Sequence, residues 1–149
     1  MVKRIIYASC MLIVLIGCGD DAPSEFYFNI NIDGQDYSSE TAFVSVNSAS
    51  TNEYHISGVG LNENGLLVTM GMLGPAQEGT FSTADLELVV VVSDAGELWG
   101  ATSIDGSGTV QVIDNSTEFI EGTFSFEVVH TTNGSIRRAM DGSFKAEKL

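Results

Sequence analysis

The chain has 149 residues, 20 acidic against six basic, and a formal net charge of −14. A surface of that sign repels phosphate backbones and excludes a nucleic-acid-binding role. Two cysteines leave no room for a disulfide framework or a thiolate metal cluster beyond a single pair.

In chain order, Lys3-Arg4 precedes an apolar run from Ile5 to Ile16, the layout of an export leader. The run is shorter than the roughly 20 residues that span a bilayer as a helix. It ends in Leu15-Ile16-Gly17-Cys18, which resembles the lipobox of bacterial lipoproteins. That resemblance implies cleavage before Cys18, acylation of its thiol, and a membrane anchor made of two or three acyl chains, enough for stable attachment. The expected organisation is a signal peptide over 1–17, a lipidated tether over 18–24 and a single domain over 25–149. Cys10 leaves with the leader and Cys18 carries lipid, so the domain folds without disulfides. Cleavage leaves 132 of 149 residues, enough for a real core. It leaves four basic residues (six less Lys3 and Arg4) against 20 acidic ones. Gly19 follows the cysteine, not the aspartate that holds lipoproteins at the inner membrane. The acidic Asp20-Asp21 is similar to surface-export signals of Bacteroidota lipoproteins, so the expected location is the outer membrane, with its outer face as the further expectation.

Beyond the tether, period-2 alternation replaces helical periodicity. Phe26, Phe28, Ile30 and Ile32 alternate with polar residues up to the turn Asp33-Gly34. Strands are predicted over 42–48 and 53–61, then over 66–73 after the turn Asn62-Glu63-Asn64-Gly65, with Gly74-Pro75 as a stop. Leu86, Leu88, Val90 and Val92 share one face of the next strand, and its near-continuous apolar character predicts cover on both faces. Asp94-Ala95-Gly96 leads into 97–102 with Trp99, and Asp105-Gly106-Ser107-Gly108 into 109–113. Residues 117–131 are the longest run. Asn133-Gly134 is a hairpin signal, followed by two closing strands over 135–140 and 142–147. The expected fold is all-β, an antiparallel β-sandwich or partly closed barrel preceded by the cleaved signal helix, with the last strand pairing the first to hide an edge.

Gly79-Thr80-Phe81, Gly108-Thr109-Val110, Gly122-Thr123-Phe124 and Gly142-Ser143-Phe144 repeat one pattern at unequal spacing. The glycine permits a bulge or a sharp turn into the strand. The hydroxyl residue faces solvent and the apolar one begins the buried side. Together with the lipobox and the early Asp33-Gly34 hairpin, these motifs resemble small Bacteroidota lipoproteins of an uncharacterised β-sandwich family, a resemblance that transfers no catalytic residue.

Candidate chemistry is sparse. His55 and His130 fall within predicted strands with no metal-ligand spacing, and there is no Gly-x-Ser-x-Gly elbow. Glu87 interrupts an apolar strand, and Glu118 and Glu121 flank Phe119-Ile120, so these are the carboxylates to examine for glycosidase chemistry. The oxygen-rich loops at Asp105 and Asp114 lack the twelve-residue calcium-loop pattern. Met70 and Met72 read as core, and Trp99 and Tyr54 as core or as a sugar-stacking pair. No cofactor or metal is expected, and no catalytic residue is assigned. The expectation is a lipid-anchored, non-enzymatic binding or accessory module of the cell envelope with a glycan, peptide or protein ligand. A small envelope hydrolase and a structural spacer are the alternatives.

Overall fold

The computed structural model describes residues 25–47, 53–74 and 77–149. The leader, Cys18 and the tether lie outside the described residues. The strands are β1 (Tyr27–Ile32), β2 (Gln35–Ser39), β3 (Ala42–Asn47), β4 (Glu53–Val59), β5 (Leu67–Met72) and β6 (Gly79–Ser82). They continue as β7 (Leu88–Asp94), β8 (Glu97–Ala101), β9 (Ser107–Asn115), β10 (Phe119–His130) and β11 (Ile136–Lys148). The described residues contain no helix, so the all-β expectation holds.

Hydrogen bonding runs β2-β1-β11-β3-β4-β5-β7-β8-β10-β9-β6, and β10 also pairs with β11. That extra pairing closes β11-β3-β4-β5-β7-β8-β10 into a ring. Its two seams are short. Glu147 and Lys148 meet Phe43 and Val44 at one, and Val129 and His130 meet Gly100 and Trp99 at the other. Between the seams lie two facing halves, β2-β1-β11-β10-β9-β6 and β3-β4-β5-β7-β8. A methyl group added at Gly58 on β4 would lie 2.3 Å from the Phe28 ring on β1, and one at Gly108 on β9 would lie 3.1 Å from Val90 on β7. The molecule is thus a flattened barrel that combines both expected architectures. The β11–β3 pair is parallel, a correction to a purely antiparallel sheet. It arises because β11 outruns β1 and reaches β3 with its last two residues.

Alternation fixes the two sides of each strand. Phe28, Ile30 and Ile32 point inward, as do Val68, Met70 and Met72, and Leu88, Val90 and Val92. Each such side chain contributes about 1.5–3 kcal/mol by leaving water. The repeated Gly–hydroxyl–apolar motif has a packing cause. In the register of β9, β10 and β11, Gly108 faces Phe126, Gly122 faces Phe144, and Gly142 faces Phe124. Gly122 and Gly142 give room to the rings of Phe144 and Phe124, Gly108 gives room to the Val90 methyl group across the core, and Gly79, at φ +149°, has nothing within 4 Å of it. The rings then gather, with Phe124 at 5.0 Å from Phe28, 5.9 Å from Phe126 and 6.2 Å from Phe144.

Three details differ from the sequence expectation. Leu86 is 65% exposed, in a turn with φ +64°, and Glu87 sits in the same connection, so the strand begins at Leu88. Val89 and Val91 are each 36% exposed, so β7 is central yet covered on one face only. The two expected closing strands are one strand, β11, with a bulge. Its register jumps from Gly142 opposite Phe124 to Ala139 opposite Phe126, and Asp141 takes φ +54° there. An Asp-Gly pair that reads as a turn is here the extra residue of a bulge.

Candidate binding face

The outward side of the first half carries the most regular array of polar groups on the molecule. Ser38 on β2, Asn29 on β1, Ser143 on β11, Thr123 on β10, Gln111 on β9 and Thr80 on β6 stand opposite one another in unbroken register. Adjacent strands lie about 4.8 Å apart, so the row is roughly 24 Å long. Beside it, Ser125, Thr109 and Ser82 form a second row across β10, β9 and β6. The hydroxyl positions of the sequence repeat supply Thr80, Thr123 and Ser143 to the first row and Thr109 to the second. The phenyl groups of the same motifs point to the other side of the sheet, so one short pattern builds both the aromatic core and the polar face.

The bulge gives this face relief. Asp141 borders two open depressions. One, of about 500 Å³, is edged by Gln111, Thr123 and Ser143. The other, of about 540 Å³, is edged by Asn29, Asn31 and Ser38. Asp36 is tied to its neighbour, accepting a hydrogen bond from Asn31 Nδ2 at 2.7 Å. A charged row closes one end, with Tyr27, Lys145, Glu121 and Asp114 in register. There the Tyr27 hydroxyl donates to Glu121 Oε1 at 3.4 Å. Burial first, then the charge and hydrogen bond of Glu121, raise the Tyr27 pKa above its ordinary value. Lys145 lies 4.2 Å from the Phe119 ring. Serine, threonine, asparagine and glutamine both donate and accept, so the face suits a ligand whose own groups do both.

The residues singled out in the sequence lie elsewhere. His55 faces outward on β4, in the opposite half of the molecule, with Nε2 3.8 Å from Glu53. His130 is buried and spent on structure. Its Nδ1 accepts from the Thr132 and Asn133 amides at 3.1 and 3.2 Å, which places the proton on Nε2, 2.7 Å from Glu97 Oε2. Trp99 is buried, under Arg137 at 4.0 Å and against the His130 ring edge. Tyr54 packs on the core, as do Met70 and Met72. Trp99 and Tyr54 therefore do not form a stacking platform for a sugar.

Glu87 is exposed, and its backbone accepts from Leu73 N at 2.8 Å. Glu118 lies in the turn before β10, and Glu121 belongs to the charged row. Asp36 and Asp141 border the polar depression but are exposed. A glycosidase acid needs a site that holds its proton by burial, and neither has one. In the Asp105 loop, Thr102 Oγ1 accepts from the Ile104 and Asp105 amides, which is turn chemistry. At the Asp114 loop, the Lys148 ammonium donates to Asn115 Oδ1 at 2.6 Å and to the Ser116 carbonyl, so a cation already fills those oxygens. Among the described residues, no three His, Cys, Asp or Glu side chains group as a metal site.

The fold and this face define a small β-barrel domain with an open polar surface. No family model, curated protein or solved structure matches the chain.

Proposed function

We propose that this protein is a lipid-anchored, extracytoplasmic binding module that holds a neutral, hydroxyl-rich glycan against its polar face without transforming it. The observation that carries the reading is the six-strand register from Ser38 to Thr80. The leader and Leu15-Ile16-Gly17-Cys18 support attachment to a membrane through Cys18, and Asp20-Asp21 supports the outer membrane. The net charge of −14 disfavours acidic polymers. Hydroxyl and amide side chains dominate the face, beside one more apolar depression of about 350 Å³ edged by Ala84, Phe126 and Met140, and sugar hydroxyls match its donors and acceptors. Hydrogen bonds contribute about 0.5–1.5 kcal/mol each net. Against the ordering cost of binding, the row supports a dissociation constant of about 1 mM for one chain. Many tethered copies on one polymer raise the effective strength.

The test is equilibrium binding of the full-length protein to neutral and to acidic envelope polysaccharides, beside an Asn29→Ala/Gln111→Leu/Thr123→Val variant. Binding to the neutral polymers that drops at least tenfold in the variant is expected. Absence of binding, or equal binding by the variant, overturns the glycan reading. The anchor is tested separately. Cys18→Ala should move the protein from the membrane to the soluble fraction, and unchanged retention refutes attachment at that residue.

A further inference from the structure

The bulge on β11 also re-aims side chains, as bulges do. It leaves Met140 and Asp141 exposed side by side, between buried Ala139 and Gly142. Met140 stands opposite Asn31 of β1 and is 59% exposed, a large apolar group among hydroxyls and amides. It borders the depression of about 350 Å³ whose apolar wall also holds Ala84 and Phe126. The other wall is made of hydroxyls. Thr109 and Ser125 there belong to the second polar row and also edge the depression of about 500 Å³. The apolar hollow and the polar face are therefore one continuous surface.

Hydrogen bonding and charge define the chemistry that fits this hollow. Thr83 lines it and is 3% exposed. Its Oγ1 accepts from the Gly108 amide at 3.0 Å, and its own proton has no acceptor among the described residues. A nearly buried hydroxyl with an unused donor suits an occupant that brings an acceptor. Ser82 is tied to Asp85 Oδ2 at 2.6 Å, so Thr109 and Ser125 are the hydroxyls left to accept from an occupant. The ionised groups on the rim, Glu127 and Arg138, pair with each other at 2.7 Å. Their charges cancel, which favours a neutral occupant.

We propose that this hollow seats an acetamido group, so that the glycan on the polar face is a polymer of N-acetylated sugars; the inference rests on the glycan reading above. One planar group then meets every wall. Its methyl group packs on Ala84, Phe126 and Met140, its carbonyl oxygen accepts from Thr83, and its N–H donates to Thr109 or Ser125. A plain hydroxyl in its place leaves the apolar wall wet, and an acetyl ester lacks the N–H. One buried methyl group and one such hydrogen bond together raise affinity about tenfold.

The test titrates the detergent-solubilised full-length protein with two sugars. One is a chito-oligosaccharide pentamer. The other is the cello-oligosaccharide pentamer, which carries a hydroxyl in place of each acetamido group. The chito-oligosaccharide should bind at least tenfold tighter. Met140→Ser, and separately Ala84→Glu, should bring that ratio below about threefold and leave the affinity for the cello-oligosaccharide within about twofold of wild type. Both replaced residues are exposed, so the fold survives, which circular dichroism checks. Equal affinity for the two pentamers overturns the acetamido seat and leaves the glycan reading standing, whereas binding of neither overturns both. A preference unchanged in both variants overturns the placement of the seat at Met140 and Ala84. Displacement of the chito-oligosaccharide by equimolar trialanine would assign the hollow to a peptide and overturn the proposal.

Discussion

Gly142→Ala tests the packing logic that generates the fold. Gly142 has no positive φ, so an alanine there costs nothing in the backbone itself. Its methyl group would lie 2.3 Å from both Cε2 and Cζ of Phe124, against an ordinary carbon–carbon contact of about 3.5–4.0 Å. The ring must retreat by more than about 1 Å. It is 4% exposed and hemmed in by Phe28, Phe126 and Phe144. Overpacking of this kind costs about 2–3 kcal/mol. Phe124→Leu alone should cost about 1–2 kcal/mol through lost buried area. In the double variant the smaller side chain vacates the space the methyl group needs, so the cost should fall at least about 1 kcal/mol below the sum. Urea unfolding measures this. With a slope of about 2 kcal/mol per molar, Gly142→Ala shifts the midpoint by about 1 M. Additivity within about 0.5 kcal/mol, or an unshifted midpoint for the single variant, refutes the account of why glycine recurs opposite phenylalanine.

Gly134 offers a contrast, since nothing lies within 4 Å of an added methyl but φ is +71°. Gly134→Ala should cost about 1–2 kcal/mol through the backbone alone, and changes in neighbouring side chains should not alter that cost in urea midpoints. His130→Phe keeps the ring's bulk but leaves the Thr132 and Asn133 amides without their acceptor. A loss of about 1–3 kcal/mol is expected, with faster hydrogen exchange at those two amides; unchanged exchange would contradict the turn-holding role. The raised Tyr27 pKa makes a signed prediction. Its contribution to stability is fully present below about pH 10, the ordinary tyrosine value, and is lost as pH rises through the higher folded value. Tyr27→Phe should flatten that alkaline decline in thermal unfolding, and an unchanged slope would remove the Glu121 contact from the account.

Much of the fold was legible because half-buried strands write their burial into alternate residues. The run from Phe28 to Ile32 and the turns at Asp33-Gly34 and Ala95-Gly96 follow directly. What escaped has identifiable causes. β2 reads Gln-Asp-Tyr-Ser-Ser, with no apolar alternation, because it is an edge strand of exposed and half-buried residues. Asp141-Gly142 carries turn chemistry, yet long pairing on both sides holds it inside one strand as a bulge. Val89 and Val91 suggested a strand covered on both faces. Residue type alone does not tell a buried valine from one on an uncovered face. The polar face was half visible, since the repeat announced outward hydroxyls. That Asn29, Gln111 and Ser38 extend the same row depends on strand order, which local pattern does not encode.

The most direct test of the binding account is a residue-resolved map. Backbone amide shifts of the detergent-solubilised full-length protein, titrated with a neutral oligosaccharide, should move most at Asn29, Gln111, Thr123 and Ser143 and little at Val91 and Leu98. Shifts confined to the Val91 face, or no shifts at millimolar ligand, would contradict the assignment of the polar face as the glycan-binding surface.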